Sequence, residues 1–136
     1  NPQAGSILLR EQGLLESLEG SNIEVIDVHE ISRYEEVLPA TEKLLEDNDS
    51  IDIIWGFNDD ICLMMHSCAV ANERQDQIAF YATGGNPGIL DAVNEGMSGQ
   101  YPYNPLRTGE RSAGNCVISC WTGKKSIPII CWRLLS

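Results

Sequence analysis

Residues Ile51 to Phe57 read IDIIWGF, and Asn58 and Asp59 follow them directly. A short apolar run rich in β-branched and aromatic residues predicts a strand covered on both faces. Asn58 or Asp59 then caps a helix on which Ile61, Met64, Met65 and Cys68 share one face. A buried strand running straight into a capped helix is half of a βαβ unit, so the flanking sequence is read for the other half.

Toward the carboxyl end, Ile78 to Thr83 (IAFYAT) forms a further strand. A Gly84-Gly85 turn follows it, then Asn86 as N-cap, Pro87 at the first helical position and Gly96 as the stop. Toward the amino end, Asn22 to Val28 (NIEVIDV) alternates apolar and polar residues as a strand does. Ser32 and Glu35 are spaced as a capping box for a helix with apolar positions Val37, Leu38, Thr41, Leu44 and Leu45. Pro39 is expected to kink that helix or delay its start. Ser6 to Glu19 is a helix with Ile7, Leu14, Leu15 and Leu18 on one stripe.

Beyond Gly96 the text changes. Gln100 to Pro105 (QYPYNP) reads as an extended connector near residues 97–105, Leu106 to Thr122 as a last helix, and Ile127 to Leu135 as a final strand. Strands separated by single helices are parallel, with right-handed crossovers. The expected fold class is therefore α/β, an open doubly wound parallel sheet with helices on both faces. Ligands of such sheets bind beyond the carboxyl ends of the strands, which here are His29–Arg33, Phe57–Asp60 and Thr83–Asn86.

The net charge of −11 over 136 residues, with no Lys or Arg cluster, repels phosphate backbones and anionic membranes. The partner is expected to be a small molecule or a protein, with no nucleic acid bound through this segment. No apolar run approaches the roughly 20 residues of a membrane span. Five cysteines are an odd number without disulfide-framework spacing and read as free thiols.

Three constellations in the sequence could carry chemistry. Cys62 and His66 lie four apart, as do Cys116 and Cys120, and four such ligands suit zinc. Cys116 and Cys120, however, fall on the apolar stripe of Ala113 and Val117 and read as packing residues. A catalytic Cys62–His66 pair lacks an orienting third group. Gly84-Gly85 lacks the remainder of either phosphate-binding pattern. No metal, cofactor or catalytic residue is expected, and the reading is of a binding protein and not an enzyme.

Six landmarks then stand in order along the chain: Arg10 to Gly13 (R-x-x-G), Asn58-Asp59 after an apolar strand, Gly84 to Pro87, Ala92 to Gly96 (A-V-N-E-G), Pro105, and Gly123 to Pro128 (G-K-K-x-x-P). In these the chain resembles the C-terminal lobe of the type I periplasmic sugar-binding proteins, the ribose-binding-protein-like soluble receptors of ABC importers. The same lobe occurs in the effector domains of lactose-repressor-like regulators. The resemblance covers residues 1–136 as one lobe, with the N-terminal lobe largely absent and no strand before the first helix. It implies a sugar or related small polar ligand held in an interlobe cleft, a membrane permease as partner and an extracytoplasmic location. The alternative is the ligand-sensing domain of a transcription regulator or sensor kinase, which for a regulator is cytoplasmic.

Carried over by position, Arg10 matches the arginine that donates to ligand oxygens, Asn58 the ligand-contacting asparagine, and Asp59 a cap or hinge partner. Ser32 stands where the family has a stacking aromatic, with Tyr34 nearby, and Tyr103 where the connector has a polar residue. The family's turn carries an Asp where this chain has Gly84, so the resemblance supports the family more closely than a simple hexose or pentose as ligand.

Overall fold

The computed structural model describes residues 2–97, 101–102 and 127–134. Helix α1 spans Pro2–Leu18, strand β1 Ile23–Ile31, helix α2 Val37–Asp47, strand β2 Ile53–Gly56 and helix α3 Asp59–Ala71. Strand β3 spans Ala79–Gly84, helix α4 Pro87–Asn94, strand β4 Tyr101–Pro102 and strand β5 Ile127–Leu134. The predicted helix over 106–122, and with it Tyr103, Pro105, Cys116 and Cys120, lies outside the described residues.

The chain is α/β with a parallel sheet in the order β1-β5-β2-β3-β4. The crossover from β1 through α2 to β2 skips one strand position. Strand β5 fills it, pairing Ile23–Ile31 through Ile127–Leu134 on one side and Ile53–Gly56 through Ile129–Trp132 on the other. The last strand described is thus interior to the sheet, and α1 packs on it. Strand β4 pairs Tyr101 and Pro102 with Thr83 and Gly84 at the outer edge, the position that tolerates a residue without an N–H.

Ile53, Ile54, Trp55 and Gly56 are all buried, and since successive side chains point to opposite faces, β2 is covered on both. Helix α3 lies close over it: a Cβ on Gly56 would stand 3.0 Å from the Cys62 backbone nitrogen and 3.0 Å from Met65 Cε. The buried face of α3 is Ile61, Cys62, Met65 and Cys68, whereas Met64 is only half-buried, so Cys62 takes the packing place that periodicity gave to Met64.

Three local expectations need correcting. Strand β1 runs on to Ile31, past the predicted end at Val28, because it pairs with β5 along its length; a register shift between Val25 and Asp27 breaks the alternation there. The N-terminal cap before α2 is made by Glu36, not Glu35: its Oε2 accepts from Ser32 N at 2.7 Å and Arg33 N at 3.3 Å across a 3₁₀ turn, Tyr34–Glu36. The delayed start expected from Pro39 is observed: a helix opened by the Ser32 box would begin at residue 33, whereas α2 begins at Val37 after the 3₁₀ turn. Pro39 is the third residue of the helix, where the missing N–H has no helical acceptor to lose. Leu38, assigned to the core stripe, is 42% exposed, while Thr41 is fully buried with its hydroxyl donating to Val37 O at 2.7 Å.

Candidate functional site

The carboxyl ends of β2 and β3 come together because α3 and α4 start side by side above them. Asn58 caps α3 from an extended backbone, its Oδ1 accepting from Ile61 N at 2.9 Å. Asn86 caps α4 in the same way, with Ile89 N at 2.9 Å. Both caps also use their amide nitrogens: Asn58 Nδ2 donates to Tyr34 Oη at 3.1 Å, and Asn86 Nδ2 to Asp60 Oδ1 at 3.3 Å.

Asp59 joins the two helix starts. It is only 6% exposed, and its Oδ2 accepts from Gly85 N and Asn86 N, each at 2.7 Å. Its carboxylate lies so close to Gly84 that any Cβ there would collide with both oxygens. The turn after β3 therefore does hold a carboxylate, but one delivered from the first residue of α3. The Gly84 that departs from the family's pattern is the residue that makes room for it.

Arg10 reaches this corner from α1. Its Nη1 donates to Phe57 O at 2.8 Å, which fixes the guanidinium beside Asn58 at the end of β2. Of the residues singled out from sequence, Arg10, Asn58, Asp59 and Gly84 are thus brought together. Ser32 lies exposed at the end of β1, engaged through its backbone N–H, and Tyr103 lies outside the described residues. The structure adds Asp60 and Asn86 to the corner and ties in Tyr34. Asn86 was visible as a cap; its amide link to Asp60, 26 residues away, left no mark in the sequence.

Side-chain acceptors already occupy several of the N–H groups an anion would use. Helix N-termini attract phosphate through unmet backbone N–H groups. Here those of Ile61, Gly85, Asn86 and Ile89 are met by Asn58, Asp59 and Asn86. What the corner offers is a mixture of guanidinium, amide, phenol and carboxylate groups, which matches a neutral molecule carrying hydroxyls better than a phosphate.

The other constellations resolve differently. Burial, together with the charge of Asp59, pushes the Cys62 thiol up to about 12, so at neutral pH it is a buried S–H and no nucleophile. His66 packs edge-on to Phe80, ring centroids 5.1 Å apart, and burial lowers its pKa. Among the described residues no three His, Cys, Asp or Glu side chains are grouped to hold a metal ion. The acidic residues Glu35, Glu46, Asp47 and Asp49 are exposed, with Asp47 paired to Lys43 at 2.8 Å. No described helix is long and apolar enough to cross a membrane. A scan against protein-family models matches no part of the chain, and no curated protein matches it in sequence.

Proposed function

We propose that this chain is one lobe of a type I solute-binding protein, and that it forms one wall of an interlobe cleft for a sugar, polyol or related small polar ligand. Such a lobe is an open doubly wound sheet; the parallel pairing of β2 with β3 and the burial of β2 on both faces support that architecture. The observation that carries the ligand reading is the corner itself. Arg10, Tyr34, Asn58 and Asp60 stand at the carboxyl ends of adjacent parallel strands, where the N–H groups of Ile61, Gly85, Asn86 and Ile89 are already taken by internal acceptors.

In this reading no covalent chemistry occurs. Ligand binds both lobes, stabilises the closed form by its differential contacts, and the closed form is what a membrane permease of an ABC importer recognises outside the cytoplasm. The chain would be a receptor, not an enzyme.

The test is NMR mapping of the chain with ribose, galactose and inositol at tens of millimolar, in parallel with nucleotides and amino acids. One wall supplies part of the hydrogen bonds, so the expected response is weak, non-saturating shifts at residues 57–60 and 84–87 with the polyols alone, lost in Arg10→Ala. If nucleotides or amino acids move this corner and polyols do not, the carbohydrate reading fails. Micromolar sugar binding by this chain alone contradicts a two-lobe cleft.

A further inference from the structure

We draw no further inference here: the strongest candidate, the groove along α1 lined by Leu8, Glu11, Leu15 and Glu19, carries nothing because no feature of the described residues shows what covers it.

Discussion

The carboxyl ends of β1 and β2 both looked like ligand-contacting corners in the sequence, and they are built in opposite ways. At the end of β2, side chains from α1, the turn before α2, α3 and the β3–α4 turn interlock: Arg10 on Phe57 O, Asn58 on Tyr34, Asp59 on Gly85 and Asn86. At the end of β1 the contacts are local, a single Glu36 carboxylate accepting from the backbone of Ser32 and Arg33. That carboxylate is held below the usual range by those N–H groups, the Ser32 one foremost. Long-range wiring preorganises the first corner and leaves the second a helix cap, and the proposed ligand wall rests on that difference.

The sharpest break of that wiring is Gly84→Ala. A methyl group there meets the Asp59 carboxylate, which is buried and tethered by two backbone N–H groups and has nowhere to move. Overpacking of this kind should cost about 3 kcal/mol, read as a fall in the urea midpoint at unchanged slope. In an Asp59→Ala background the same substitution should cost under about 1 kcal/mol, because neighbours that clash are non-additive. An equal cost in both backgrounds would show that Gly84 answers to something other than Asp59.

Asp59→Asn comes next. The amide keeps the shape, and its one oxygen can still accept from both N–H groups as Oδ2 does, but those bonds lose their charge and its N–H₂ takes the place of Oδ1, which is buried with no partner. Leaving a buried donor unmet costs about 2 kcal/mol. Hydrogen exchange locates the effect: the amides of Gly85 and Asn86 should lose protection, while those of β1 stay as they were. Uniform loss of protection would mean that the carboxylate supports the whole lobe and not this corner.

Much of the wired corner could be read from sequence in its parts and not in its connections. IDIIWGF, the Asn58 cap and the Asn86-Pro87 start are local signals, and each element appears where its signal stands. The Asp59–Gly84 contact joins positions 25 apart by way of a parallel pairing, and nothing within either segment encodes the partner. Local alternation ends β1 at Val28 for a similar reason: its last residues, His29 to Ile31, are held by pairing with Trp132 to Leu134, far along the chain. The place of β5 between β1 and β2 is likewise invisible to periodicity, which reports faces and not neighbours.

A smaller effect sits beneath the corner at Cys62, whose thiol burial and Asp59 push up to about 12 from an ordinary value of 9.0. The folded chain keeps this proton where the unfolded chain loses it. Stability is therefore unaffected below pH 9 and falls as pH rises from 9 toward 12, by at most about 1.4 kcal/mol per pH unit. Cys62→Ala should flatten this part of the alkaline slope in urea titrations between pH 8 and 10. Iodoacetamide at pH 8 should leave Cys62 of the folded chain unmodified by mass spectrometry. Rapid modification there would place the thiol in reach of solvent and of the charges around it.

The smallest expected effect separates the two corners most directly. Asn58→Ala removes the N-cap of α3 together with its link to Tyr34, and losing a cap of this type costs about 1 kcal/mol. Ser32→Ala removes an exposed hydroxyl and leaves the Ser32 N–H bond to Glu36 intact, since the alanine backbone donates equally well. Its cost should stay within about 0.5 kcal/mol. In the polyol titration, Ser32→Ala should leave the shifts at residues 57–60 and 84–87 in place, and Asn58→Ala should remove those at 57–60. If instead Ser32→Ala abolishes the response and Asn58→Ala spares it, the ligand lies against β1. The interlocked side chains at the end of β2 would then serve only to hold α3 and α4 together.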